Sequence, residues 1–355
     1  MFLIKNGRIW DGEKFFYGDV LTDGAAVSQI GQDLTCEKGY VFDAKGCIVA
    51  PGLVDGHIHM HGLSIPRYSI PAESACFPFG VTAAADAGST LGSRELLDHI
   101  AVKNVVFPSA KIVNGSLDRP ITLQRMEHYG DKAVGIKLVL DTGIPGITDG
   151  TPLYQVCDLA RELGCKVLVH CTDSPIPMAQ IVEALAPGDI LTHIYHGGSH
   201  TCLEEDFAAF RLAREKGVVL DAGFAGHVHT DFGVLKTAAQ AGFYPDTIST
   251  DITRASAFFR GGRYGLTMAM SMAKAVGMPE SDIFRSVTTA AAHALGQSQW
   301  GRLQVGGIAD IAVLEDTNES FFLKNSNGNT LESQTGYRCV LTLSNGVVVH
   351  CDKWR

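Results

Sequence analysis

The sequence between residues 51 and 300 repeats one pattern, in which a short apolar run is followed by a stretch of helical character. The centres of successive runs are about 20 to 35 residues apart, close to the ~30 residues of a strand–helix–strand unit. Eight such units can close into a barrel, so the pattern predicts an α/β fold of the (β/α)8 or TIM-barrel type. The predicted strands are Leu53 to Ile58, Val81 to Asp86, Lys111 to Asn114, Gly135 to Leu138, Lys166 to His170, Asp189 to His193, Val218 to Asp221 and Thr247 to Thr250.

Three of the intervening helices have recognisable ends. Thr151 and Pro152 supply a cap and a first-turn proline, and Gly164 ends the same helix. A second helix is predicted from Leu203 to Lys216, and an alanine-rich third one from Asp282 to Leu295.

The two ends of the chain differ from the middle, because short β-like runs alternate there with Gly, Asp and Asn turn residues. We expect both ends to pair into one small β-sandwich domain. The predicted division is 1–50 for its first part, 51–300 for the barrel and 301–355 for its second part. The runs are Phe2 to Ile4, Arg8 to Trp10, Ala26 to Ile30, Cys47 to Ala50, Ala309 to Leu314, Arg338 to Leu343 and Val347 to His350.

Composition limits the classes of partner. The chain has 355 residues, 46% of them hydrophobic, which is enough to bury a large core. A net charge of -9 without a basic stripe argues against nucleic acid or an anionic membrane and favours a small-molecule substrate. Self-association into a homo-oligomer stays open.

The nine cysteines include no Cys-x-x-Cys pair and their number is odd, so neither a disulfide framework nor a zinc knuckle is expected. They are interpreted as small buried side chains in a reducing cytoplasm. No apolar run reaches the ~18 residues of a membrane span, and the N-terminus lacks the pattern of a signal peptide. A cytoplasmic location is therefore predicted.

Six side chains that can bind metal lie at the carboxyl ends of predicted strands. His57 and His59 are two residues apart, so an extended strand points both imidazoles to the same face. Because the carboxyl ends of all barrel strands meet at one face, we expect the six to converge there as a metal site. The other four end or directly follow separate apolar runs, and they are Lys137, His170, His193 and Asp251.

Each of these residues also has a structural explanation when taken alone. A lysine in an apolar strand can reach solvent at a strand edge, and a histidine at a strand end can be a hydrogen-bonded packing residue. The order and position of the whole set favour a metal site. His196 and His200 could each replace His193 as a ligand, but His193 is preferred because it ends the apolar run.

Lys137 is an unusual neighbour for histidines, because an uncompensated ammonium costs on the order of several kcal/mol to bury. Reaction of its amine with CO₂ would give a carbamate, an anion with two oxygens. Such a group can bridge two metal ions at the ~3.5 to 4 Å spacing of binuclear sites. Carboxylation of Lys137 is therefore our hypothesis.

Five segments carry a resemblance to known proteins, two of them to a superfamily and three to one of its branches. Pro51-Gly52-Leu53-Val54-Asp55-Gly56-His57-Ile58-His59 resembles the first signature of the amidohydrolase superfamily, and Gly301-Arg302-Leu303-Gln304-Val305-Gly306-Gly307-Ile308-Ala309-Asp310 resembles its return to the small β domain. Phe79-Gly80-Val81-Thr82, Asp86-Ala87-Gly88-Ser89 and Ile248-Ser249-Thr250-Asp251 are more particularly similar to the dihydroorotase-like branch and its deacetylase-type relatives.

The resemblance implies a metal-dependent amidohydrolase with two divalent ions. It implies that His57, His59 and Asp251 hold one ion, that His170 and His193 hold the other, and that a carboxylated Lys137 bridges them. Zinc is the first choice for an imidazole-rich site with an open position. A bridging hydroxide would attack the substrate carbonyl, and Asp251 would move its proton to the leaving nitrogen or oxygen as the catalytic acid and base.

Loop residues near the same face are candidates for substrate binding. His227 and His229 follow the seventh strand, and Arg254 and Arg263 could bind a carboxylate through bidentate guanidinium contacts. The alternatives are a solvated loop for the histidines and surface ion pairs for the arginines. The Gly-His-Gly-rich segment of deacetylase-type relatives is not kept here, so the segment does not indicate a substrate.

The expected function is hydrolysis of an amide or ester bond in a small molecule, such as an N-acyl amino acid, an acylated hydroxy acid or a cyclic amide. One alternative is a mononuclear deaminase of the same superfamily, although such sites lack the bridging lysine. The other is a non-catalytic barrel scaffold, which would be expected to have lost ligands, whereas all six are present.

Overall fold

The structure is a computed structural model, and it describes residues 1–63, 68–225, 228–258, 264–325 and 327–353. The strands within these ranges are β1 (Phe2–Trp10), β2 (Phe15–Asp23), β3 (Ala26–Gly31), β4 (Tyr40–Asp43), β5 (Cys47–Pro51), β6 (Leu53–Ile58), β7 (Val81–Ser89), β8 (Lys103–Pro108), β9 (Ile112–Val113), β10 (Ser116–Leu117), β11 (Gly135–Val139), β12 (Lys166–His170), β13 (Ile190–Thr192), β14 (Val219–Asp221), β15 (Ile311–Thr317), β16 (Phe321–Lys324), β17 (Thr330–Ser333), β18 (Gly336–Ser344) and β19 (Val347–Cys351).

The helices are α1 (Ala72–Cys76), α2 (Leu96–His99), α3 (Arg119–Tyr129), α4 (Thr151–Leu163), α5 (Met178–Ala184), α6 (Ala208–Lys216), α7 (Phe232–Gln240), α8 (Arg254–Phe258), α9 (Leu266–Ala275), α10 (Glu280–Ser286) and α11 (Thr289–Ala294). None of the helices in the described ranges combines the length and the hydropathy that crossing a bilayer requires.

The two ends of the chain share one sheet, as the sequence predicted. Its strand order is β19-β18-β15-β5-β1-β2-β3, with β4 paired in parallel to β1. The ends meet where β5 runs antiparallel to β15, with Val49 opposite Val313. Both residues are fully buried in a separate apolar cluster of this sheet. The division of the chain at residues 50 and 300 stays a prediction.

The barrel strands form two parallel groups, β6-β7-β8 and β11-β12-β13-β14. Isolated bridges extend these groups: Val106 pairs with Ala133, Ser109 with Lys137 and Asp221 with Thr247. Ile252 bridges to Ile58 of β6. The parallel strands are almost wholly buried, as expected where helices cover a sheet.

Two of the predicted barrel strands were wrong. The third is Lys103–Pro108, whereas Lys111 to Asn114 contributes only β9 to a small hairpin. Asn114 and Gly115 have φ values of 49° and 76°, so they form a tight turn that sends the chain back on itself. The eighth segment, Thr247 to Thr250, forms no continuous strand and makes one bridge, from Thr247 to Asp221.

The predicted helix around Thr151 is confirmed, and Gly164 ends it in the left-handed conformation at φ 63°. The helix predicted from Leu203 begins only at Ala208, because three successive residues, 205–207, have positive φ. The helix predicted from Asp282 to Leu295 is split into α10 and α11. Thr288 interrupts it, with φ -129° and ψ -101° outside the helical region, and it accepts a hydrogen bond from Trp10.

At the chain ends, Phe2 to Ile4 and Arg8 to Trp10 belong to one continuous strand, β1. The sequence analysis also missed β2, which pairs with both β1 and β3. The exposed Tyr17 and the turn-like Gly18 in β2 obscure the apolar pattern there.

Candidate metal centre

A cavity of about 820 Å³ opens at the carboxyl ends of the barrel strands. All six predicted ligands contribute to its wall. The other described residues that line it are mostly small or apolar, and they are Tyr68, Ala87, Gly88, Ser109, Val139, Ala225, Val228, His229, Thr253, Ala255 and Ser256.

Two of the site residues lie at sharp turns that follow their strand segments. His193 has φ 66° and Asp251 has φ 47°, so both occupy the left-handed region. This region costs a non-glycine residue roughly 1 to 2 kcal/mol. The turns aim both side chains into the cavity, which suggests that the strain is retained for the site.

Asp251 lies between two groups of histidines. Its Oδ1 is 2.9 Å from Nε2 of His59 and 3.3 Å from Nε2 of His57. Its Oδ2 faces the other group, 3.7 Å from Nε2 of His229 and 4.0 Å from Nε2 of His193. One carboxylate therefore reaches both halves of the site.

Burial and charge set the protonation states in the metal-free site. Burial lowers the pKa of His57 and His193 well below the ordinary value, and it lowers the pKa of His170 to about 4. Burial would raise the pKa of Asp251, but His57 and His59 outweigh it and hold that pKa below its usual range. The hydrogen bond to Asp251 and its charge outweigh burial at His59 and raise the pKa of that imidazole. The site thus presents an ionised carboxylate beside three imidazoles of lowered pKa, those of His57, His170 and His193.

Lys137 is fully enclosed at the centre of the site. Its side chain lies on β11, and Nζ is 3.4 Å from Nε2 of His57. Burial lowers the pKa of this amine from 10.5 to about 8. A substantial fraction of Lys137 is therefore uncharged in mildly alkaline solution.

A buried hydrogen-bond network positions the imidazole of His57. Its Nδ1 is 3.3 Å from Oγ1 of Thr192, which in turn donates a 2.7 Å hydrogen bond to Oδ2 of Asp221. Asp221 also accepts hydrogen bonds from Thr247 and Ser249. The position of the imidazole is thus fixed by groups from three barrel segments.

Asp55 ties the first strand to the eighth segment in a similar way. Its carboxylate accepts bonds from the backbone N and Oγ1 of Thr250, next to Asp251, and burial raises its pKa to about 7. Asp55, Asp221 and Thr192 were not among the residues that the sequence pattern pointed to. An acidic residue inside an apolar strand was the available signal.

The donor set fits a pair of metal ions. Two groups of three side chains could each hold an ion, and within each group the ligand atoms lie within 4.8 Å of one another. One group is His57, His59 and Asp251, and the other is His170, His193 and His229. Among the described residues, the buried Nε2 of His170 has no hydrogen-bond partner, while Oδ2 of Asp141 is 3.5 Å away. Neutral imidazoles and one carboxylate form the ligand chemistry that divalent transition metals select.

The remaining predicted residues are placed differently. His196 is buried outside the lining of the cavity, and its Nδ1 accepts a bond from the backbone N of Gly198. His200 pairs with Glu204. These positions favour His193 as the ligand.

His229 lines the cavity, whereas Arg254 is exposed and is not among the described lining residues. The proposed substrate contacts His227 and Arg263 lie outside the described residues.

Comparisons with known proteins agree with this geometry. Residues 48–348 match the model of the amidohydrolase family. A deacetylase of Brucella anthropi is 29% identical over 348 residues, covering 88% of this chain and 84% of that protein. A deacetylase of Agrobacterium fabrum is 30% identical over 316 residues, covering 81% of this chain and 75% of that protein.

A crystal structure of a dihydroorotase superposes with a TM-score of 0.84 at 23% identity and covers 99% of both chains. This likeness confirms the predicted fold class, a TIM barrel with a small β-sandwich domain formed by the chain ends. The family match covers most of the chain and includes every residue of the two ligand groups. The chain therefore belongs to the amidohydrolase family, and it is a metal-dependent hydrolase that acts on carbon–nitrogen bonds.

Proposed function

We propose that the enzyme uses two divalent metal ions to cleave an amide or ester bond of a small molecule, such as an N-acyl amino acid, an acylated hydroxy acid or a cyclic amide. The observation that carries this proposal is the position of Asp251, with one carboxylate oxygen toward each group of histidines. A carboxylate in this position can bind one ion and still reach the reacting atoms beside the other.

The ligands divide between the two ions along the observed groups. His57, His59 and Asp251 would hold the first ion, and His170 and His193 the second. Lys137 would bridge them as a carbamate, formed when its neutral amine adds to the carbon of CO₂ and releases one proton. The new anion would replace a buried amine that has no ion pair among the described residues.

Bound divalent ions, with zinc as the first choice, would supply a water molecule of lowered pKa and polarise the carbonyl of the substrate. Asp251 is ionised at neutral pH, so its carboxylate can accept a proton from the attacking water. Oδ2 is the oxygen placed for this, because Oδ1 is hydrogen-bonded to His59. The same oxygen would then donate the proton to the leaving nitrogen or oxygen.

The cavity wall supports a substrate of limited size with an apolar part. Ala87, Gly88, Ala225 and Ala255 leave space beside the ligands, and Val139 and Val228 add apolar surface. The similarity to deacetylases points to a short acyl group as the part that is released.

A hydrolysis screen with a matched variant tests the proposal. Wild type and Asp251→Asn are loaded with zinc, manganese, nickel or iron and assayed with N-acyl amino acids of both configurations, cyclic ureides and acylated hydroxy acids. We expect hydrolysis by wild type and a loss of at least ~100-fold in kcat for Asp251→Asn. Equal rates for both proteins would contradict the assigned role of Asp251.

Metal analysis separates the competing functions. Two ions per wild-type chain support the binuclear centre, whereas one ion together with deamination of amino-substituted rings would identify a mononuclear deaminase. A chain that binds no divalent ion after growth in metal-replete medium would instead be a scaffold.

A further inference from the structure

We infer that His229 is an additional metal ligand, which gives the second ion a third imidazole from a loop instead of a strand end. This inference rests on the proposed binuclear function. His229 lies on the connection between β14 and α7, and its side chain enters the same cavity as the strand-end ligands.

The position of the ring carries the inference. The centroid of the His229 ring is 4.5 Å from that of His193 and 4.9 Å from that of His170, so the three imidazoles surround one space. One ligand atom from each lies within 4.8 Å of the other two. Three convergent imidazole nitrogens can coordinate a single ion.

The hydrogen bonding of His229 is that of a ligand. Its Nδ1 is 3.1 Å from Oγ1 of Thr172, which leaves Nε2 directed at Oδ2 of Asp251. His193 is arranged in the same way, because its Nδ1 bonds to the carbonyl oxygen of Gly223 at 2.6 Å. A histidine that binds metal through one ring nitrogen is commonly oriented by a hydrogen bond at the other.

The loop that carries His229 is anchored two residues later. The carboxylate of Asp231 caps α7 by accepting bonds from the backbone N of Gly233 and Val234. The backbone N of Asp231 donates to the carbonyl of Tyr195 on the neighbouring loop. The loop is therefore fixed to both a helix and an adjacent barrel connection.

The separate β16–β17 hairpin adds to this anchor. The turn between β16 and β17 places three asparagine amides against the carboxylate of Asp231, at 2.9 to 3.0 Å. We call this contact the asparagine clamp, and it consists of Asn325, Asn327 and Asn329 around Asp231. The clamp limits the movement of the loop and keeps His229 near the strand-end ligands.

The third imidazole makes the two halves of the site chemically different. His57, His59 and Asp251 include one negative charge, whereas His170, His193 and His229 are three neutral donors. Burial lowers the pKa of His229, as it does those of the other two imidazoles. The second group therefore leaves more of the ion's positive charge uncompensated.

Metal binding by His229→Gln tests the inference. The control is His200→Gln, which removes a loop histidine that pairs with Glu204. Holoenzymes are titrated with a chelator, and cobalt-substituted proteins are compared by their visible absorption. We expect His229→Gln to bind one of its two ions at least ~10-fold more weakly and to show an altered cobalt spectrum, whereas His200→Gln matches wild type.

The outcomes distinguish the inference from the proposed function. Two ions held by His229→Gln with wild-type affinity and spectrum would overturn the inference, and a raised KM alone would then identify His229 as a substrate contact. If wild type holds a single ion, the proposed binuclear function is wrong. In that case the inference about His229 stands if His229→Gln binds the single ion more weakly than wild type, and it is wrong if the affinity is unchanged. Circular dichroism and thermal unfolding in chelator check that the variants fold alike.

Discussion

Nζ of Lys137 lies 3.4 Å from Nε2 of His57, and no carboxylate among the described residues forms an ion pair with it. The residue is 3% exposed, and the cost of burying its charge outweighs the attraction of the Asp251 and Asp221 carboxylates, so the pKa of the amine is lowered. The amine of the metal-free protein therefore loses its proton at lower pH than an exposed lysine does, and the neutral amine is the form that reacts with CO₂.

Replacing Lys137 with methionine should stabilise the metal-free protein by about 2 kcal/mol at pH 7, because the variant buries no charge. The folded-state pKa is lowered from 10.5 to about 8, so the unfolded chain keeps the proton to higher pH. Wild type should gain stability as pH rises from 8 to 10.5 and lose it as pH falls. Urea unfolding in the presence of chelator measures the free energy of unfolding of both proteins. The difference in favour of Lys137→Met should shrink between pH 8 and 10.5, and a difference that stays constant would contradict the burial of a charged amine.

Native mass spectrometry should find metal-loaded wild type heavier than its sequence and metals by the mass of one CO₂. Lys137→Ala should lack this increment and bind its ions far more weakly. Lys166→Ala serves as the control, because this half-buried lysine donates to the backbone carbonyls of His293 and Ala294 in the last turn of α11. A free amine in fully loaded wild type would rule out the carbamate.

Substitution of Gly223 by alanine should displace His193. A Cβ at this position would contact Oγ1 of Thr192 and would lie 2.6 Å from Nδ1 of His193. We expect at least ~10-fold weaker metal binding. Gly164→Ala is the matched control, since this glycine also has a positive φ but nothing lies within 4 Å of its Cβ. Chelator titration in which both variants behave alike would show that close approach to His193 is unimportant.

The hydroxyl of Thr192 should act through the orientation of His57. Thr192→Val removes the link between His57 and Asp221, and we expect metal affinity to fall about 10 to 100-fold. The control, Thr342→Val, removes a buried hydroxyl on β18 that donates to the carbonyl oxygen of Phe77, away from the cavity. Both variants should lose about 1 kcal/mol of stability, but only the first should bind metal more weakly in equilibrium dialysis. Parallel losses of affinity would refute the positioning role.

The asparagine clamp should influence metal binding although its asparagines do not line the cavity. Asn329 donates to both carboxylate oxygens of Asp231, so Asn329→Ala should loosen the loop that carries His229. The affinity for the second ion should therefore fall, but less than in His229→Gln. Gln180→Ala removes an exposed hydrogen bond from the side-chain amide to the hydroxyl of Tyr154, and it should not change metal binding. Chelator competition on the three variants gives the ranking, and an effect of Asn329→Ala larger than that of His229→Gln would contradict it.

The sequence by itself determined which candidate ligands lie at the strand ends. Alternation on a strand gave the pairing of His57 with His59, and the ends of apolar runs located Lys137 and His170. The parallel order of barrel strands then required these residues to meet at one face. Such features depend only on local periodicity and chain order, which a linear sequence contains.

Tertiary structure decided what depends on contacts between distant segments. The sequence does not show that His229 faces His170, that Asp221 supports His57 through Thr192, or that a hairpin near residue 327 holds Asp231. It also placed the third barrel strand too late, because an Asn-Gly turn converts Lys111 to Asn114 into part of a hairpin. Backbone conformation and long-range hydrogen bonds are set by packing, and packing is fixed only when the whole chain folds.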